Sequence, residues 1–292
     1  MSLRLSTLQA AILKAVCHYR FLTHSQLRLL RLGRLGAIRK ATWVLCRHPP
    51  KSPLLQSHQV APHARLGQIE KVFSISGHGL EALSDCFPNF QKPVMRPASA
   101  FYDADFFHRR ETISFRIRLE QALRHEPDFQ ISNFANYFER RPFQTSKSFF
   151  AATRLDLGEG QVCIPDSIFD VVHCKTRTRA TFALEYIRGS KRQRTMRQME
   201  THARVFQLQA LAKQRQLPAG QNSLALFVFE NPALARRMLH FARDRPHWLS
   251  PFRDQFHLTT LTETTKNILT GWTTLHSNTP VHLLLGPAKP IS

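Results

Sequence analysis

No aspartate or glutamate occurs before Glu70. The same segment carries Arg4, Lys14, Arg20, Arg28, Arg31, Arg34, Arg39, Lys40, Arg47, Lys51 and Arg65. A solvated surface normally mixes both signs, so a stretch of one sign sets up a field that attracts a polyanion. Nucleic acid is the commonest such partner, through phosphate neutralisation and counterion release. An anionic membrane surface is the rival, but no aromatic-rich amphipathic helix with a polybasic face is present. Long apolar runs are missing as well: none approaches the ~18–20 residues of a membrane span. The N-terminal apolar stretch is interrupted by Lys14 and lacks a small-residue cleavage site. It reads as an amphipathic helix rather than a secretion signal, and a bacterial cytoplasmic location, with nucleoid or plasmid association, is expected.

Other absences narrow the chemistry. The five cysteines, Cys17, Cys46, Cys86, Cys163 and Cys174, include no C-x-x-C pair and are odd in number, which argues against a disulfide framework or a zinc ribbon. Most are expected to be small buried apolar residues. His173-Cys174 has no metal-ligand spacing. No G-x-x-x-x-G-K-[ST] is present, so there is no ATP-binding P-loop. No His-hydrophobe-His run of the rolling-circle relaxase kind occurs. None of the four tyrosines, Tyr19, Tyr102, Tyr137 and Tyr186, stands out as a DNA-linking nucleophile. If the chain serves DNA nicking, it assists another enzyme.

What is present is a basic chain of 292 residues, with 41 Lys and Arg against 20 Asp and Glu, a formal charge of +21. The length suits about two domains. Hydrophobic residues make up 42%, including 22 Phe, which is enough for a core and excludes a disordered basic tail.

The first region patterns as short helices. Ser6 is placed to cap one, with Leu8, Ile12, Leu13, Val16 and Tyr19 on one face. Thr23 caps a second, His24 to Arg31, ended by Gly33 in the left-handed position after the helix. A third spans about Arg34 to Arg47, with Leu35, Ile38, Thr42 and Leu45 inward and Arg34, Arg39, Lys40, Trp43 and Arg47 outward. A hairpin between about Leu54 and Ile75, containing Arg65, would follow as a wing. This is the winged helix-turn-helix plan. Arg34, Arg39, Lys40, Trp43 and Arg47 become the candidate recognition-helix contacts to double-stranded DNA, and Arg65 a backbone or minor-groove contact. A protein-interaction winged helix is the alternative, and the missing acids argue against it. Residues 1–86 form this domain. Residues 87–104, with their prolines, read as a linker.

The remainder, 105–292, patterns as a long helix (about 105–124), then strands at 129–134, 149–155, 163–172 and 181–187. A charged helix (190–214) and an almost wholly apolar strand (222–230) follow. The last strand suggests a central place in a sheet buried on both faces. A helix to about Arg243, a strand at 256–260 and a helix at 262–269 complete the order. The expected class is α/β, α+β overall, with the sheet between helices. A second basic cluster occupies 175–197. In the strands, Pro165-Asp166 and Glu185 would face each other across a hairpin. A carboxylate among apolar strand residues needs a partner. Either a divalent metal held by Asp166 and Glu185, or a salt bridge to Arg179, Arg188 or Arg194, would supply one.

The segments FLTHSQLRLL, KVFSISGHGLEAL, HRRETISFRIRLEQAL, IPDSIFDVV and TFALEYIRGSKRQRTMRQMETHARVF resemble, in order and spacing, the replication-relaxation proteins of plasmids and integrative mobile elements, over about residues 5–245. The resemblance implies a winged helix followed by a restriction-endonuclease-like domain of the PD-(D/E)XK type with a central mixed sheet. It implies a role in replication, nicking and relaxation, or mobilisation of the element's DNA, beside a relaxase, recombinase or similar partner. Asp166 would be the aspartate after the proline and Glu185 the first acid of the second half-motif, together holding Mg2+ in an active enzyme. The lysine two residues on is here Ile187, which can neither polarise water nor offset phosphate charge. Lys191, or more distantly Lys175, would have to substitute. Three readings stay open: a DNA-binding accessory protein with a degenerate nuclease-like domain, an active metal-dependent endonuclease using Asp166, Glu185 and Lys191, and a winged-helix repressor, whose palindromic site would call for a homodimer.

Overall fold

In the computed structural model, which describes residues 5–47, 49, 51–62, 67–87, 89–90, 106–143, 146–189, 191–217, 223–244, 249–277 and 279–284, Ser6 and Thr23 each begin a helix. At helix α1 (Thr7–Tyr19) the Ser6 hydroxyl accepts from the Gln9 N–H, and the Gln9 side chain accepts from the Ser6 N–H at 2.8 Å. Helix α2 (His24–Leu29) repeats this reciprocal cap with Thr23 and Gln26. Each box satisfies two N–H groups that the first helical turn leaves without partners.

Helix α2 stops two residues before the expected Arg31, and Gly33 is not its left-handed terminator. Arg31 takes that conformation, with φ 59°. The Arg31 N–H donates to Arg28 O at 2.8 Å and the Leu32 N–H to Leu27 O at 3.4 Å. These paired bonds close the helix with an arginine in the left-handed position. Helix α3 (Leu35–Leu45) follows, burying Ile38, Ala41, Thr42 and Leu45. Strands β1 (Leu22–Thr23), β2 (Leu55–His58) and β3 (Val72–Ile75) form a small antiparallel sheet in the order β1-β3-β2, with Leu55 opposite Ile75. Arg65 lies outside the described residues.

Helix α4 (Gly77–Cys86) is capped by the Ser76 hydroxyl, which accepts from the Gly79 N–H. A Cβ on Gly79 would lie 2.2 Å from the Leu54 carbonyl oxygen and 2.8 Å from Ile75 Cγ1. Backbone cannot yield as a flexible side chain can. Gly79→Ala is therefore expected to cost about 1–3 kcal/mol, the range of core overpacking, read as a lower urea midpoint with an unchanged m-value. An unchanged midpoint would show that α4 slides at no cost.

The chain divides into two compact units, one of Met1–Arg96 with Ala100–Ile117, the other chiefly Arg118–Ser292. Helix α5 (Phe106–Leu123) carries the division within it. In the first unit its opening turns pack Phe106 and Phe107 against Val60, Ile69 and Val72. The Gln26 side chain donates to Arg110 O at 2.8 Å and to the Ser114 hydroxyl at 3.1 Å.

The second unit is built on a six-stranded mixed sheet with flanking helices. Its strands are β4 (Phe129–Asn136), β9 (Ser167–His173), β10 (Arg179–Ile187), β11 (Ser223–Phe229), β12 (Phe256–Thr260) and β13 (Thr273–Thr274), in the order β13-β12-β11-β10-β9-β4. Strand β11 pairs parallel on both sides, with β10 and with β12. That central place is why its sequence is almost wholly apolar. Strands β10, β9 and β4 run antiparallel in turn. Phe169 and Phe182 are cross-strand partners with rings stacked 5.0 Å apart, and Phe134 stacks on Phe169 at the same distance.

Three expected elements differ. The strand expected at 149–155 is split between β6 (Ser146–Ala151), which pairs with β5 (Arg140–Phe143), and β7 (Leu155–Asp156), which pairs with β8 (Val162–Cys163). Neither ladder joins the main sheet. The strand expected at 163–172 is interrupted at Ile164-Pro165-Asp166, since proline donates no ladder bond. The helix expected at 190–214 is two helices, α6 (Arg192–Gln207) and α7 (Ala210–Arg215), separated where Gln209 turns left-handed at φ 52°. Helix α8 (Pro232–Asp244) and helix α9 (Leu261–Lys266) complete the set, with a 3-10 turn at Ser250–Gln255. Helices α6 and α8 cover one core of the sheet through Met196, Met199, Phe206, Leu234 and Met238 against Phe227, Phe229 and Phe256. No described helix is long and apolar enough to cross a membrane.

Candidate nucleic-acid interface and a buried acid cluster

The 3.6-residue period of α3 sorts its side chains sharply. Gly36, Arg39, Lys40 and Trp43 are exposed at spacings of three and four and share one stripe, and the exposed Arg47 follows just past the helix C-cap Cys46. Ala37 is also exposed near the N-terminal end, so small residues lie where a close approach would occur. Trp43 is 57% exposed, an unusual position for so large an apolar ring. The Arg47 guanidinium lies 4.8 Å from its centroid and holds the ring as one wall of the stripe. Arg34 precedes the helix as its N-cap residue and is exposed. Arg34, Arg39 and Lys40 have no ionic partner among the described residues. The first acid in the chain, Glu70, is engaged elsewhere. Its carboxylate accepts from the Ser25 N–H at 3.1 Å and the Ser25 hydroxyl at 2.8 Å.

Thr42 faces inward, as expected. Its hydroxyl lies 2.9 Å from His24 Nε2 and donates to the Ile38 and Arg39 carbonyls. Burial pushes the His24 imidazole below its usual pKa, with Glu70 opposing that shift and Arg39 and Lys71 adding to it. A neutral, half-buried imidazole braces α3 from behind rather than meeting phosphate.

In the second unit, Asp166 and Glu185 lie across from each other at the end of the β9–β10 pairing, where the Asp166 N–H donates to Leu184 O at 2.9 Å. The acids have different surroundings. Asp166 Oδ2 accepts from the Tyr186 N–H at 2.6 Å and so caps the strand. Glu185 Oε1 lies 2.8 Å from His202 Nε2 on α6, and Glu185 Oε2 lies 3.4 Å from the Gln198 amide. The salt-bridge partners expected for Glu185 are placed differently. Arg179 pairs with Asp170 at 3.8 Å, Arg188 with Glu230 at 3.5 Å, and Arg194 is exposed. Ile187 is buried in the apolar core with Met196, Met199 and Phe229. Lys191 is exposed at the N-cap of α6, and Lys175 is ion-paired with Asp128 at 2.9 Å.

Magnesium asks for a set of oxygen donors, and cleavage asks also for a cation near the scissile phosphate. Here each acid already holds a hydrogen bond within the protein, and the lysine position is the apolar Ile187.

Sequence reasoning gave no site role to Asp170, Cys163 or His202. Asp170 is fully buried and accepts from the Thr181 hydroxyl at 2.6 Å and the Asn133 amide at 3.1 Å. Cys163 and His202 lie beside Glu185. No signal in the chain joins Cys163 to His202, because they sit on a two-residue strand and a separate helix. The tempting neighbours His173 and Cys174 have other surroundings: His173 Nδ1 accepts from the Thr176 N–H.

Comparison with family models, with curated proteins and with solved structures gives no match. The functional reading therefore rests on the residues themselves.

Proposed function

We propose that this chain is a DNA-binding accessory protein of a mobile genetic element, with an N-terminal winged helix that grips duplex DNA and a restriction-endonuclease-like unit that does not cut it. The observation that carries the reading is the exposed stripe Arg39, Lys40 and Trp43 on α3, with Arg47 just past its end, bordered by Arg34 and free of acids. The helix is the third of three before a β-hairpin, the position from which a helix enters the major groove. Its cations neutralise phosphates and set the register, while Trp43 offers an apolar surface to base edges or thymine methyl groups.

The order α5-β4-β9-β10-α6-β11, with β10 and β11 parallel across the α6 crossover, supports the restriction-endonuclease-like assignment of the second unit. The position of the acid pair at the end of the β9–β10 hairpin supports it too. The engagement of Glu185 by His202 and the apolar Ile187 favour loss of cleavage. The resemblance to replication-relaxation proteins supports a role beside an element's relaxase or recombinase, where binding or bending DNA matters more than hydrolysis.

One assay tests this reading. Labelled duplex and supercoiled plasmid are titrated with protein in Mg2+, Mn2+ or EDTA. Shifted, uncut DNA that is insensitive to EDTA is the expected result. Metal-dependent nicking lost in Asp166→Ala would overturn the non-cleaving part and install the endonuclease. No shift even at low salt would overturn the DNA reading itself.

A further inference from the structure

Glu185 belongs to a cluster whose chemistry differs from that of a nuclease. Cys163 on β8, Glu185 on β10 and His202 on α6 are all buried, and their ligating atoms lie within 4.8 Å of one another. His202 Nε2 is 2.8 Å from Glu185 Oε1 and 3.9 Å from Cys163 Sγ. We propose that these three side chains bind one borderline-soft divalent cation, with zinc as the fitting occupant.

Two arrangements could bring a thiol, an imidazole and a carboxylate together. In a nucleophilic triad the thiol and the acid sit on opposite ring nitrogens, so that a proton passes through the ring. Here both face Nε2. No relay runs through that geometry, and a thiol held this way has no separate base. Convergence of three donors on one point is what a cation requires. Thiolate sulfur, imidazole nitrogen and carboxylate oxygen together make a zinc set, whereas magnesium and calcium are bound by oxygens. A divalent ion would itself compensate the charges of the thiolate and carboxylate that bind it in a medium of low dielectric.

Binding requires the three donors to readjust. Zinc ligands sit about 2.0–2.3 Å from the ion, so neighbouring oxygen and nitrogen donors stand roughly 3.3 Å apart. The Glu185–His202 separation must widen by about half an ångström, within reach of a rotation in the glutamate. The Gln198 amide lies 3.4 Å from Glu185 Oε2. His202 packs edge-on against Phe227 at 5.5 Å. Its Nδ1 is buried without a hydrogen-bond partner among the described residues. A ligating imidazole usually donates its second N–H to an outer partner, and losing that bond weakens metal binding by about 10–100-fold. A site of moderate affinity is therefore expected. Such an ion ties the short β8 ladder and α6 to the main sheet, and it uses the glutamate that a nuclease of this fold would assign to magnesium.

The experiment uses the untagged full chain, stripped with EDTA and titrated with Co2+. One cobalt per chain is expected, with a thiolate-to-cobalt charge-transfer band in the near ultraviolet. Zn2+ displaces it and Mg2+ does not. Cys163→Ser removes the band, and His202→Gln weakens cobalt binding by at least tenfold. Absence of the band in the unaltered protein overturns the proposal without reliance on any variant. So does a band that survives Cys163→Ser, which would place the ion on another cysteine. The inference is independent of the DNA reading: a gel shift by α3 is expected in Cys163→Ser whichever way the cobalt result falls.

Discussion

Replacing Arg39, Lys40 and Arg47 together by alanine is expected to weaken duplex binding by about 10²–10³-fold at 0.1 M salt. Each phosphate neutralised contributes close to one unit to the dependence of log K on log salt. Removing three cations should therefore flatten that slope by about 2–3. The three side chains are exposed, so their loss leaves the fold of α3 intact. Near-ultraviolet circular dichroism of the first unit should be unchanged apart from the Trp43 signal that Arg47 influences. Trp43→Ala should behave differently. It alters discrimination among sequences more than the salt slope, because an apolar ring releases no counterions. A triple variant with the affinity and slope of the unaltered protein would move the DNA contact off α3. The exposed Arg194 and Arg197 on α6 would then be the next candidates.

Acidification from pH 7 to pH 4 is expected to cost the second unit roughly 3 kcal/mol through His257 alone. This imidazole sits on β12, paired in register with Leu226 and Thr274, and is 1% exposed. Burial pushes its pKa down to about 4, against the opposing pull of the Asp254 carbonyl and carboxylate. The unfolded chain, with a histidine pKa near ~6.5, binds the proton first as pH falls. Stability from this group is therefore complete above about pH 6.5 and is lost progressively down to about pH 4. His24 and His58 in the first unit are also depressed by burial and act in the same direction. Urea unfolding at pH 7, 5.5 and 4.5 reads the effect, and His257→Leu should flatten much of the second unit's decline. Parallel loss in the variant and the unaltered protein would assign the acid sensitivity to other groups.

Local signals carried well from sequence to structure where short-range physics decides. The Ser6 and Thr23 caps, the two faces of α3 and the interior strand β11 all follow from spacing or composition within a dozen residues. Legibility failed where distant parts decide. Gln209 and Arg31 are ordinary helix formers held left-handed by their surroundings, so neither break announced itself as a glycine would have. The 149–172 stretch has the composition of long strands but is parcelled into short ladders by Pro165 and by pairing partners that composition does not specify. Glu185 was conspicuous as a carboxylate among apolar residues, and arginines nearby in sequence suggested themselves as partners. Its observed partner, His202, is brought in by the α6 crossover. A helix register, rather than a motif, sets which of α6's side chains reaches it.

The parallel pairing of β11 has a consequence for the order in which the protein is made. Neither neighbour of β11 can join it by a tight turn, so the sheet waits for α6 and for the segment carrying α8 before its central strands meet. The residues of the first unit end at Ile117. During synthesis from the N-terminus it can close while β9, β10 and β11 are still unmade or unpaired. A nascent chain stalled between these points would present the α3 stripe to nucleic acid while β10 still had an open edge. The acidic residues missing from the first 69 positions leave nothing there to hold that stripe in check.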